Sequence, residues 1–401
     1  MPNKIKHCSL NMKELLVGMK DTSELMLDLA YSAVIYDDDD IAEEVIRLEE
    51  KMDTLEYHMK ITAMQAARRI DEAHQLSGVL KAASAAENIA NAAGDIANIV
   101  RLKMGIPTEL KADIREAEET VTRVTIEPDS PVIGKTLGEL KLETETGMGV
   151  IAIRQGSSWI YDVEKDTTIL SGDILFARGH DEGLPIFTEF VTGKPFVKRD
   201  YTPTEPIEDL EKAVDIVVEM KNKSELSVGL AYSAVLFYNK DLANEVEILE
   251  KEMDQMKYEL QHWVLESARH VEDVDILRGL LHLANASEFI SDAAYEIADI
   301  VLRDIELHPI FMMAVRESDE VMTKINVADC SPIVNMTLGE LKLETETGMH
   351  VMAIKRGSRW IYRPGSKTKI ISDDILIARG SRDCETQLFE MTACHVEPGE
   401  Q

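Results

Sequence analysis

Thirteen consecutive residues, TLGELKLETETGM, stand at Thr136–Met148 and again at Thr337–Met349. The offset, 337 minus 136, is 201 residues, half of a 401-residue chain. Chance does not produce an identity of this length, so the chain is a tandem duplication. The same offset aligns AYSAV from Ala30 with AYSAV from Ala231, and LEEKMD from Leu48 with LEKEMD from Leu249. It also aligns GSSWIY from Gly156 with GSRWIY from Gly357, and SGDILFARG from Ser171 with SDDILIARG from Ser372. No gap is needed, and each half is read as one pattern seen twice.

Upstream of the repeated stretch each half is helical. Met12, Leu15, Leu16, Met19, Leu25, Leu29, Ala33 and Tyr36 recur at three- and four-residue steps, predicting a first helix over about 11–37. A second, over about 41–70, carries Ile41, Val45, Leu48, Met52, Leu55 and Met59 in alternating steps of four and three. That is the seam of a long antiparallel bundle, and Leu242, Val246, Leu249, Met253, Met256 and Leu260 repeat it. The third, over about 72–103, contains AASAAENIANAAGDIA, small enough for close helix approach, and should lie at the centre of its bundle. The DDDD run at Asp37–Asp40 reads as a capping turn, because the aligned YNKD keeps only its last Asp. Glu109–Glu119 is a further short helix or connector.

Downstream, the period changes. VTRVTI, VIAIR, WIYD and DILFARG are short β-branched and aromatic runs separated by Gly, Asp and Ser turns, with GELKL as a short helix between strands. The fold class expected is multidomain: all-α three-helix bundles alternating with small α+β modules. The expected boundaries are 9–118 and 208–319 for the bundles and 119–199 and 320–398 for the modules. A linker at 200–207 contains TPTEP.

Composition bounds the function. Asp and Glu number 74 against 43 Lys and Arg, a formal charge of −31, which disfavours tracking a nucleic-acid backbone or adhering to an anionic membrane. Every apolar stretch is interrupted by charge well short of the ~18 residues of a membrane span, so no direct membrane insertion is expected. No signal peptide is evident. Cys8, Cys330, Cys384 and Cys394 show no CxxC spacing and do not align across the repeat, and are read as free thiols in a reducing, cytoplasmic compartment.

One acidic constellation recurs in the helical parts. Glu49 and Asp53 are four apart on the second helix, as are Glu250 and Asp254. On the third helix Glu87, Asn91 and Asp95 correspond to Glu288, Asp292 and Glu296. Four-residue spacing puts each set on one face. Spacing alone favours a solvated acidic face and leaves open a set of hard oxygen ligands for a divalent cation.

Here the helical parts resemble the PhoU family, whose paired three-helix bundles carry E(D)xxxD motifs that bind metal clusters. The resemblance implies a divalent metal ion at Glu49, Asp53, Glu87 and Asn91 and at Glu250, Asp254, Glu288 and Asp292. Asn91 departs from the pattern and weakens the first set. The modules resemble the C-terminal domain of TrkA-type potassium-uptake proteins, also called the RCK C-terminal domain. That resemblance rests on SPVIGKTLGELKL from Ser130, GVIAIRQG from Gly149 and LSGDILFARG from Leu170, with their copies. It implies pairing of the modules about a two-fold axis and a small ligand in the groove. Arg154, Lys355, Arg356, Arg178 and Arg379 are candidate donors to a small anionic ligand, with ion pairing on an acidic protein the plainer reading. Trp159 and Trp360, with Tyr161 and Tyr362, read as packing rather than a stacking platform.

There is no GxGxxG after a strand, no GxxxxGK[ST], no HExxH and no GxSxG, so no catalytic apparatus is expected. Together the resemblances imply a non-enzymatic cytoplasmic regulator of cation transport, potassium foremost, whose partner is a membrane cation transporter or channel and which forms a homo-oligomer, a dimer. The alternatives are a regulator of phosphate uptake or signalling, and a metal-binding enzyme.

Overall fold

A computed structural model describes residues 10–107, 110–111, 119–156, 158–161, 163–180, 182–197, 208–271, 274–318, 320–343, 347–357 and 359–393. The chain divides into two compact units, each built from both halves: Met1–Ala117 with Tyr201–Ser318, and Glu118–Asp200 with Asp319–Gln401. The expected linker at Thr202–Pro206, Cys8 and Cys394 lie outside the described residues, as does most of the Glu109–Glu119 connector.

The first unit is helical. Helices α1 (Met12–Tyr36), α2 (Asp39–Ala66) and α3 (Ile70–Arg101) form one bundle. Helices α7 (Glu208–Leu236), α8 (Lys240–Ser267) and α9 (Asp275–Leu302) form the other, followed by α10 (Pro309–Glu317). The α2 seam is buried at every position from Ile41 to Met59, and α8 repeats it except at Met256, which is half-buried.

Asn11 opens α1 with a capping box, bonding the amide of Glu14 while Glu14 bonds back. Within DDDD the cap of α2 is Asp38, which accepts from the amides of Asp40 and Ile41 at 3.0 and 3.2 Å. In the second copy Asn239 accepts from Asp241 and Leu242 in the same way. The capping position is thus retained in YNKD, one Asx residue replacing another, and the shared final Asp is not what makes the turn.

The small residues of α3 do what their size predicts, since the helix packs on α1, α2 and α9. A Cβ added to Gly279 of α9 would fall 2.0 Å from the carbonyl oxygen of Gly105, so the approach there needs glycine. The bundles also meet through a reciprocal pair. Lys20 lies 5.4 Å from the Tyr232 ring and Lys221 lies 5.0 Å from the Tyr31 ring. Each buried ammonium bonds the Glu four residues on, Glu24 or Glu225, at 2.7 Å. A buried lysine is tolerable only with such partners, and here the ring faces supply the rest.

The second unit contains two four-stranded antiparallel sheets. The first has β1 (Glu119–Thr125), β2 (Met148–Gln155), β3 (Ser158–Ile160) and β4 (Ile174–His180) in the order β1-β4-β2-β3. The second repeats it with β5 (Glu320–Asn326), β6 (His350–Arg356), β7 (Arg359–Tyr362) and β8 (Ile375–Ser381) in the order β5-β8-β6-β7. Both carry a bulge at one place, Val150/Ala152 and Val351/Ala353.

Side-chain hydrogen bonds explain much of the thirteen-residue identity. Thr136 caps the short helix α4 (Leu137–Leu140) in a box with Glu139, and Thr337 with Glu340 does the same for α11 (Leu338–Leu341). Lys141 and Lys342 end these turns in the left-handed region, at φ 48° and 44°. Thr146, at the end of α5 (Leu142–Thr146), donates to the Leu142 carbonyl at 2.6 Å and accepts from the Met148 amide at 3.2 Å. Thr347 repeats both bonds.

Each module closes with a helix that the strand pattern does not predict, α6 (Gly183–Thr192) and α12 (Arg382–Thr392). Phe187 and Val191 seal the first core, Cys384 and Leu388 the second. The turn before the last strand survives the loss of its glycine because Asp373 adopts φ 64° where Gly172 has φ 88°.

The cysteine expectation is corrected at one residue. Cys330 is disulfide-bonded, while Cys384 is free and fully buried. The lack of CxxC spacing excludes only local pairing; residues remote in sequence meet wherever the fold brings them.

Candidate functional site

In the first bundle, α2 supplies Glu49 and Asp53 and α3 supplies Glu87, Asn91 and Asp95. The two helices pack directly, so these groups sense one another. Glu49 lies over Gly94, where an added Cβ would come within 2.5 Å of its Oε2. Burial raises the Glu49 pKa first, and repulsion from Asp53, Asp95 and Glu87 adds to it. Burial raises Glu87 too, opposed by the Asn91 Nδ2 hydrogen bond of 2.7 Å to its Oε1. Glu56, one turn further along α2, is bonded by Ser84 at 2.9 Å and ion-paired with Lys60 at 2.5 Å.

In the second bundle, α8 carries Glu250 and Asp254 and α9 carries Glu288 and Asp292. Asp292 is pushed up from 3.8 to about 6, by burial and then by repulsion from Glu288, Glu250 and Asp254. Glu250 is raised by burial and by Asp254. Lys257 enters from α8 and holds Glu288 at 3.0 Å. Each predicted quartet thus lies on two directly packed helices, with its carboxylates close enough to repel one another. Burial is the first cause of each raised pKa, and repulsion among the neighbouring carboxylates adds to it at Glu49, Glu250 and Asp292. Among the described residues, no group of three or more His, Cys, Asp or Glu side chains is drawn together as a ready ligand cage.

The cationic candidates of the modules divide. Arg356 is bound to the scaffold, bonding the buried Asp374 through Nε and Nη2 at 2.9 and 2.8 Å. In the first copy Gln155 bonds Asp173 instead, at 2.9 Å. Arg154 and Lys355 lie over the rings of Trp159 and Trp360, at 6.0 and 5.2 Å. Those indoles stack in turn on Tyr161 and Tyr362. Arg178 and Arg379 both reach Glu320, a residue the strand pattern did not single out. Glu143, inside the repeated stretch, was also missed. It is half-buried beside the second module, near Ser381, Cys384 and Gly348, and desolvation raises its pKa despite hydrogen bonds from Ser381 and Cys384. Partners from the other half of the chain leave no spacing signal, so neither glutamate could be found by periodicity.

The PhoU domain model matches residues 16–100 and 217–301, and the TrkA-C domain model matches residues 121–191 and 322–391. No curated protein matches the chain. Among solved structures the chain is similar to PhoU from Pseudomonas aeruginosa, at 13% identity and a TM-score of 0.39 over 73% of this chain and 96% of that one. It is similar to the GsuK RCK domain at 12% identity and a TM-score of 0.18, over 70% of this chain and 68% of that one. For the GsuK channel bound to NAD the values are 12% and 0.19, over 76% and 65%. With TM-scores below 0.5 these superpositions add nothing to the domain matches. No helix among the described residues is long and apolar enough to cross a membrane. The chain carries two PhoU domains and two TrkA-C domains, alternating in a tandem duplication.

Proposed function

We propose that the chain is a non-enzymatic cytoplasmic regulator of cation transport, with potassium as the ion and a membrane transporter or channel as the partner. The observation that carries this reading is the TrkA-C domain in both halves, each following a PhoU domain. Both domain types point to regulation. In this reading a homodimer docks on the transporter, the TrkA-C pair takes a small anionic ligand, and the PhoU bundles take divalent cations at their carboxylate grooves. Glu49, Asp53, Glu87 and Asn91 would hold one cation, and Glu250, Asp254, Glu288 and Asp292 the other. The cation would relieve the repulsion that adds to burial in raising Asp292.

The test is a deletion strain in which rubidium and phosphate uptake are measured side by side. Altered rubidium uptake with unchanged phosphate uptake is expected, and co-purification of a cation transporter with the tagged chain would accompany it. The PhoU matches favour a second reading, regulation of phosphate uptake, which predicts the opposite pattern.

A further inference from the structure

Helix α10 is the last element of the helical unit, and β5 of the second TrkA-C domain opens at Glu320, after Ser318 and Asp319 alone. The helix is fixed at both ends. His308 Nδ1 accepts from the Ile310 amide at 3.3 Å, and Pro309 occupies the first turn. At the other end Ser318 is buried; its amide donates to the Ala314 carbonyl at 3.1 Å and its hydroxyl to the Val315 carbonyl at 3.0 Å. The ladder of β5 with β8 begins at once, with Glu320 opposite Ser381. A single residue therefore separates a capped helix from a paired strand, and its φ and ψ are all that can absorb a displacement.

Nine residues are too few to hold a helix in water, so α10 exists by virtue of its seat. Phe311, Ala314 and Val315 are its buried face. The seat is drawn from both bundles, from α1 and α3 of the first and α7 of the second. Leu16, Lys20, Ala82, Ala86 and Tyr232 border a water-sized cavity beneath the helix. Lys20 and Tyr232 are also one arm of the reciprocal pair through which the bundles meet. The offset of 201 explains the room. α3 has Ala82 and Ala86 where α9 has Leu283 and Ser287, and Phe311 stands where the first half has Leu110. A large residue on α10 is thus set over small ones on α3, and the exchange leaves a gap.

We propose that α10 couples the helical unit to the second TrkA-C domain: a displacement of the helix in its seat across the bundle joint passes through Ser318 and Asp319 to β5. The coupling goes beyond the regulatory reading by naming the segment through which the domains communicate, and it needs no ligand. The uptake experiment can fail with the coupling intact, and the coupling can fail with the uptake result standing.

The test is hydrogen exchange, followed by mass spectrometry on the full chain, in the native protein and Phe311→Ala. Emptying the seat is expected to speed exchange at least ~10-fold in α10 and also in β5, with β1, the equivalent strand of the first module, unchanged. Faster exchange in α10 with β5 unaltered overturns the proposal, as does equal acceleration of β1 and β5, which is general loss of stability. Should Phe311→Ala fail to fold, Phe311→Leu installs the residue of the first half and is expected to speed exchange in both elements about 3-fold. Adding Ala82→Leu, which copies Leu283, refills the seat and should return α10 and β5 to native exchange together. Recovery of α10 without β5 also overturns the proposal.

Discussion

Among the positions around the carboxylates that differ between the bundles, three exchange charges in a way that cancels. The first copy has Glu56, Lys60 and Asn91; the second has Lys257, Gln261 and Asp292. Each trio sums to zero formal charge. In the first bundle Glu56 and Lys60 neutralise each other, and the neutral amide of Asn91 holds Glu87. In the second Lys257 is turned onto Glu288, and Asp292 takes the place of the amide. What the duplication has kept is the local charge balance; which residue satisfies the third-helix glutamate has been free to change. Gly94 and Tyr295 complete the contrast. The glycine lets Glu49 lie down on α3, and the tyrosine fills the aligned position.

The comparison breaks most severely at Lys257. Lys257→Glu copies the first bundle's residue without its Lys60 partner, strands Glu288 and adds repulsion to Asp292. A loss of about 2 kcal/mol is expected at pH 7 and low salt, read by chemical denaturation, with part of it recovered at high salt.

Asp292→Asn should act in the opposite direction. The carboxyl titrates near 4 when unfolded and at about 6 when folded, so the native state binds its proton more tightly. Stability from this group is complete below the unfolded value and declines as pH rises through about 6. The variant should therefore match the native chain at pH 4 and exceed it at pH 8. Partial exposure of the groove screens the effect to about 1 kcal/mol. The same variant should weaken manganese binding at this groove about 10-fold, seen by calorimetry, because an acidic ligand is lost.

Asn91→Asp sharpens the contrast from the other side. It converts a hydrogen-bond donor into a second carboxylate beside Glu87 with no lysine at position 56 to answer it. A cost of about 1 kcal/mol at pH 7 that shrinks toward pH 4 is expected from pH-resolved melts. Gly94→Ala should have the smallest effect. The added methyl displaces only the flexible end of Glu49, and helix propensity offsets the disturbance by up to ~1 kcal/mol. Carboxyl NMR should show Glu49 titrating lower once it is pushed into water.

How far these features can be read without a structure depends on where their partners lie. The seam from Ile41 to Met59, the close-packing α3 and the strands announce themselves because helix and strand periods are local. So does the spacing that sets four oxygen-bearing side chains on each groove. Lys257 was within reach too, since the offset puts it opposite Glu56, but a charge exchange has meaning only once the Glu288 contact is known. Asn239 shows the limit of letter-by-letter comparison, because capping depends on a side-chain oxygen at one position and accepts either Asp or Asn. The helices α6 and α12 are short, and their apolar residues follow a strand so closely that no clear change of period marks them. Glu143, Glu320 and the disulfide of Cys330 depend on neighbours far along the chain.

The similarity of the two β modules, which are identical from Thr136 to Met148 and from Thr337 to Met349, has a consequence for biogenesis. A strand or turn from one copy fits the other almost as well as its own, which is the circumstance in which tandem domains exchange segments and misassemble. The helices between the copies separate their synthesis in time. At ~5–20 residues per second, roughly 10–40 seconds pass between the emergence of one module and the next, long enough for a small β domain to close first. Deleting the intervening bundle would bring the two look-alikes out of the ribosome together, and swapped or aggregated chains would be the product.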